Sequence, residues 1–296
     1  MRRLRVVMAG MVVTLMAGAL ASGAVAQGEG DDPAGERSDS TSEVATAGNL
    51  VYATGRSPED ATELPLIHFR PSTVSKDTPM VIDVGGTAVD PMALVERGVS
   101  VFSLLFFPDR WSDFAQDGDP EALRTMADAI ACAIRFARGS EYGSETAPLV
   151  LVGYSSRAVV PAHVALAGAS LDRVWDEYEA AGGPPSEWDC AIEGASTRVD
   201  GYVGINGVYD TVWGDAFPAA HDPDLWEMLR GTVGLNPELQ VSLIYGDADP
   251  RRPREASVAF EAVLAEAGYD VNVVEFAGGH TAPHELTAET VMEIVS

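Results

Sequence analysis

The chain has 296 residues, 46% of them hydrophobic, enough for one large domain with its own core. Its 45 Asp and Glu against 19 Lys and Arg give a net charge of −26, a field that repels nucleic acid and anionic membranes and excludes both as partners. Beyond residue 26 no stretch approaches the ~18 unbroken apolar residues of a membrane span.

The first 26 residues read as a secretory signal. Arg2, Arg3 and Arg5 form a positive start, an apolar run follows over residues 6–21, and Ala24-Val25-Ala26 fits a small-x-small cleavage site ahead of Gln27. An uncleaved anchor is the alternative. Cleavage removes three Arg and no acid, leaving 16 basic against 45 acidic residues, a net −29. That charge fits either a well-solvated surface or adaptation to salt. Export, secreted or periplasmic, puts Cys132 and Cys190 in an oxidising compartment, where an even count predicts a bridge rather than two free thiols. No membrane partner is expected after cleavage.

Residues 27–48 are rich in Gly, Asp, Glu, Ser and Thr and hold no aromatic residue, which predicts a disordered acidic linker before a domain over residues 49–296. Apolar runs at 64–69, 80–84, 99–107, 149–152, 199–205, 241–245 and 271–276 predict strands. Helical spacing predicts helices over 120–138, with Asp119 as N-cap and Pro120 at the first position, and over 156–168, 254–267 and 285–294. Strands alternating with helices imply an α/β fold, a mostly parallel central sheet flanked by helices. Residues 169–198 break the alternation and read as an insertion: a lid over the carboxyl edge of the sheet, an excursion pinned by the Cys132–Cys190 bridge, or both. In open α/β sheets chemistry collects at the carboxyl ends of the strands.

Three segments at such ends carry reactive side chains. In Leu149-Val150-Leu151-Val152-Gly153-Tyr154-Ser155-Ser156-Arg157-Ala158, a strand runs through a tight turn into a helix. A serine there is held strained and exposed, with Gly153 relieving crowding two residues before it; Arg157 stands two residues after it, where Gly is usual. Ser156 is the alternative nucleophile. Tyr245-Gly246-Asp247-Ala248-Asp249 offers two carboxylates after a strand, and Phe276-Ala277-Gly278-Gly279-His280 offers an imidazole on a glycine-rich loop, with His284 close by. Asp83-Val84-Gly85-Gly86-Thr87 ends another strand with backbone free to approach a ligand. No phosphate-cradling glycine motif and no metal-ligand spacing occurs, so no cofactor and no metal is expected.

In this order the segments resemble the α/β-hydrolase family, in particular its esterase and carboxylesterase-like members, over residues 50–296. The resemblance implies Ser155 as nucleophile, Asp249 (the Gly-x-x-Asp position, with Asp247 as rival) as acid and His280 as base. It places the oxyanion hole at the backbone N–H of Ser156 and of the Gly85-Gly86 loop, here Gly86. It implies a serine esterase cleaving a small-molecule or polymer-linked carboxylic ester through an acyl-enzyme. Acyl transfer, peptide cleavage, or binding by a degenerate member of the fold are the other readings. Phe106, Phe107, Trp111 and Tyr209 suggest an apolar or aromatic part in the substrate.

Overall fold

The computed structural model describes residues 45–56, 62–86, 88–105, 120–209, 223–250 and 253–296. The signal segment, linker residues 27–44, Asp119, Phe106, Phe107 and Trp111 lie outside the described residues.

Among the described residues nine strands form one sheet: β1 (Ala45–Gly55), β2 (Glu63–Arg70), β3 (Met80–Val84), β4 (Ser100–Leu104), β5 (Leu149–Tyr154), β6 (Trp188–Cys190), β7 (Gly201–Ile205), β8 (Gln240–Gly246) and β9 (Val271–Phe276), in the order β6-β1-β2-β4-β3-β5-β7-β8-β9. From β4 across to β9 all neighbours are parallel. β2 on β4, β1 on β2 and β6 on β1 are antiparallel. Among the described residues the helices are α1 (Pro91–Glu96), α2 (Pro120–Gly139), α3 (Val159–Ala167), α4 (Leu171–Ala180), α5 (Pro223–Arg230), α6 (Pro253–Glu266) and α7 (His284–Val295). Two short 3₁₀ turns, Ser155–Ala158 and Gly168–Ser170, flank α3.

The inner parallel strands β3, β4, β5, β7 and β8 are buried on both faces because both faces are covered, whereas the edge strand β9 is only partly buried. In β5, Leu149 and Leu151 join the core under α2 and α3, while Val150 and Val152 join the core under α1 and α7. In β3, Met80 and Ile82 point to the first core and Val81 to the second. Helix α1 starts where Asp90 accepts from the backbone N–H of Met92 and Ala93 with Pro91 following, a capped start. Arg138 ends α2 by donating to the carbonyls of Glu145, Ala147 and Arg198 and to Asp200 Oδ2 at 2.8 Å, which locks the helix to the turns before β5 and β7.

Four expectations change. The first strand begins at Ala45, inside the stretch read as linker: its pairing with β2 holds residues whose composition alone could not specify a strand, and the register shifts at Gly48 and at Tyr52. The strand expected over 99–107 spans Ser100–Leu104, and the residues after 105 lie outside the description. The 169–198 insertion is no cover over the serine turn. It supplies α4, packed on α3, and then β6, which extends the sheet at the edge farthest from β9. There the bridge Cys132–Cys190, with Cα atoms 4.9 Å apart, ties β6 to α2. Tyr209 is fully buried, stacked on Phe260 at 4.4 Å and hydrogen-bonded to Tyr202 at 2.9 Å, so it is core and faces no substrate.

Candidate active site

Strand β3 is followed on one side by β4 and on the other by β5, so the chain changes direction of travel across the sheet at this point. A crevice opens at the carboxyl ends beside such a switch. The turn after β5 carries Ser155, that after β3 carries Gly85 and Gly86, that after β7 carries Asn206, and those after β8 and β9 carry Asp249 and His280.

Ser155 sits at φ +56°, a left-handed conformation that costs a non-glycine residue energy unless its surroundings impose it. They do so here. β5 ends at Tyr154, a 3₁₀ turn begins at Ser155, and α3 continues from Val159. Strand and helix approach so closely that a Cβ on Gly153 would lie 2.7 Å from Ala158 Cα and 3.0 Å from the Arg157 carbonyl oxygen, so only glycine fits two residues before the serine.

The imidazole of His280 lies between Ser155 and Asp249. Its Nε2 is 2.9 Å from Ser155 Oγ, and its Nδ1 is hydrogen-bonded to Asp249 Oδ2. The Asp249 side chain is fully buried, whereas the His280 side chain keeps 18% of its surface exposed. A buried carboxylate on Nδ1 fixes the tautomer in which Nδ1–H donates to Asp249 and Nε2 accepts from the serine hydroxyl. Asp247 does something else. It is exposed, and its Oδ1 accepts from the Gly278 N–H at 2.9 Å, which closes the loop between β9 and His280. Ser156 follows Ser155 in the same turn, and His284 is exposed at the start of α7.

Two residues outside the sequence reading hold the histidine loop. Asn206, fully buried at φ +46°, donates from Nδ2 to the His280 carbonyl at 2.5 Å and accepts the Gly246 N–H on Oδ1 at 2.8 Å. One side chain thus joins the loop after β9 to the strand that leads to Asp249. The Tyr154 hydroxyl donates to the same carbonyl at 3.1 Å, and its ring lies 5.0 Å from the imidazole. The detectable signal for Asn206 was its place immediately after a parallel strand, in a residue type that tolerates the left-handed region.

On the other side of Ser155 lies the loop after β3. Gly85 (φ +103°) and Gly86 (φ +66°) adopt conformations closed to most side chains. Asp83, fully buried in β3 two residues before Gly85, accepts from the Ala88 N–H. Burial pushes its carboxyl up to about 7, and the backbone donors of Ala88 and Val89 and the charge of Arg157 pull the other way. Among the described residues no cluster of three or more His, Cys, Asp or Glu could hold a metal ion. A cleft of about 380 Å³ beside the disulfide, lined by Arg124, Arg135, Trp175 and Cys190, includes none of Ser155, Asp249 and His280.

No protein-family model matches the chain, and no curated protein matches it. Solved structures do. A truncated carbohydrate esterase from gut microbiota superposes with a TM-score of 0.56 at 16% identity, covering 87% of this chain and 98% of that one. Esterase B from Lactobacillus rhamnosis, in an inhibited form, gives 0.51 at 15% identity, covering 84% and 85%. An acetyl ester-xyloside bifunctional hydrolase from Caldicellulosiruptor lactoaceticus gives 0.50 at 17% identity, covering 81% and 87%. With the parallel sheet, the left-handed serine turn after β5 and these structural neighbours, the chain has the α/β-hydrolase fold.

Proposed function

We propose that the protein is an exported serine esterase that hydrolyses carboxylic esters through an acyl-enzyme on Ser155. The observation that supports this reading best is the hydrogen-bonded line Ser155 Oγ, His280 Nε2, His280 Nδ1, Asp249 Oδ2, with the serine held at a left-handed φ. His280 takes the Ser155 proton as Oγ attacks the ester carbonyl. Asp249 steadies the imidazolium that results. The oxyanion meets the N–H groups of Ser156 and Gly86. His280 then protonates the departing alkoxide, and in the second half the same nitrogen activates water against the acyl-enzyme. The structural neighbours bear esterase names, which agrees with an ester as the bond cleaved. Export is supported by the N-terminal segment and by the Cys132–Cys190 bridge, which persists in oxidising compartments.

Hydrolysis of short-chain p-nitrophenyl esters tests the reading. The wild-type chain turns them over, and Ser155→Ala abolishes turnover while its unfolding curve is unchanged. Equal turnover by both proteins removes Ser155 from the chemistry.

A further inference from the structure

In the turn that carries Ser155, the residue two places on is Arg157, a large cation where a small residue would be expected. Its side chain crosses to the loop after β3. Nη1 donates to the Gly85 carbonyl at 3.2 Å. The arginine side chain packs against that glycine: a Cβ there would stand 2.5 Å from Nη1 and 2.9 Å from Cδ, so the loop has no side chain at the place the arginine occupies.

The Gly85 carbonyl and the Gly86 N–H are the two ends of one peptide group. No cis peptide occurs among the described residues, so the plane is trans and its C=O and N–H point in opposite directions. Holding the carbonyl on the arginine therefore aims the Gly86 N–H to the opposite side, and a charged donor on the oxygen strengthens the N–H as a donor. Two glycines at positive φ would otherwise let that peptide rotate. Asp83 braces the same loop from beneath by accepting from Ala88 N–H, and its carboxylate attracts the guanidinium.

We infer that Arg157 is a positioning residue for the oxyanion hole: through the Gly85 carbonyl it fixes the Gly86 N–H beside that of Ser156. The inference rests on the serine-esterase reading above. Arg157 touches neither substrate nor the reacting atoms in this role. It gives the elbow arginine a purpose: one four-residue turn carries the nucleophile, one oxyanion donor and the strut that sets the other.

The test compares wild type, Arg157→Met, Arg157→Lys and Arg157→Ala on an aryl acetate and on its thionoacetate, in which C=S replaces C=O. Sulfur accepts hydrogen bonds poorly, so the oxyanion hole contributes less to that reaction. On the oxo-ester kcat falls about 10- to 100-fold in Arg157→Met, short of the 10²–10³ for outright loss of an oxyanion donor, with KM little changed. Arg157→Lys, which keeps the charge and one donor, falls less. On the thionoester both losses shrink, and methylguanidine partly restores Arg157→Ala on the oxo-ester. Equal losses on the two substrates, or full kcat in a folded Arg157→Met, overturn the inference. If Arg157→Met does not fold, Arg157→Lys and the rescue of Arg157→Ala carry the same comparison. Labelling of wild-type Ser155 by a fluorophosphonate separates the two claims. Labelled Ser155 with unaffected arginine variants refutes only the role of Arg157, whereas unlabelled Ser155 in folded protein refutes the esterase reading and this one with it.

Discussion

Replacing His163 with leucine changes how the protein withstands acid. His163 lies in the middle of α3, 1% exposed, in a T-shaped pair with Trp175 whose ring centroids are 5.5 Å apart, and neither ring nitrogen has a hydrogen-bond partner among the described residues. Burial lowers its pKa from 6.5 to about 3. The folded state therefore holds this imidazole neutral where the unfolded chain protonates it. Between pH 6.5 and 3 the unfolded state binds the extra proton at this residue, so the contribution of His163 to stability falls as pH falls through that window and is constant above it. At pH 4 the window has been entered by 2.5 units below 6.5, which at 1.36 kcal/mol per unit costs about 3 kcal/mol. Leucine has no proton to take up. Urea unfolding midpoints at pH 8 and pH 4 measure the effect, with the denaturant slope as a check on two-state behaviour. The drop in stability between the two pH values should be smaller by about 3 kcal/mol in His163→Leu than in wild type. At pH 8 the variant should be as stable or more so, since an unpartnered buried imidazole is lost. Parallel pH profiles for the two proteins would refute the reasoning.

Further predictions concern the site and its supports. Asn206→Gly keeps a residue able to adopt φ +46° but removes both side-chain bonds; it should lower kcat/KM by about 100-fold through misplacement of His280, while Asn206→Ala adds backbone strain and a further loss of stability in thermal melts. The double variant Cys132→Ser, Cys190→Ser opens a loop of 58 residues and should lose about 4 kcal/mol in urea titrations. Its esterase rate at 25 °C should stay near wild type, because β6 is five strands from β5 in the sheet. Ser155→Ala, His280→Ala and the double variant should show nearly the same residual rate, because residues that act as one unit are not additive; independent losses that multiply would argue against a shared proton path.

The central strands were legible because both their faces are buried. Residues 80–84 were bounded correctly from their apolar run and α2 to within one residue from its helical spacing, and the edge strand β9, only partly buried, was also bounded correctly over 271–276. Edges were not. Residues 45–48 become strand only through pairing with β2, and β6 is three residues long, held by β1 and the disulfide. Helix α4 has apolar residues at 171, 174, 175 and 178, a helical repeat that went unread because it sits in a stretch rich in Gly and Pro further on. That Ser155, Asp249 and His280 would come together was legible because each stands a short distance beyond a strand end. Asn206 and Tyr154 were not, because each acts on a backbone carbonyl: His280 is 74 residues from the first and 126 from the second, and no local pattern encodes that pairing. Arg157 was visible as an oddity, but its partner at Gly85 lies 72 residues away and only the fold brings them together.

The most direct test of the central claim is to treat the folded protein with a fluorophosphonate and map the adduct by peptide mass spectrometry. An activated serine beside a histidine base predicts a single adduct on Ser155, lost in His280→Ala. A folded wild-type protein that takes no label, or carries it on Ser156, contradicts the assignment of Ser155 as the nucleophile.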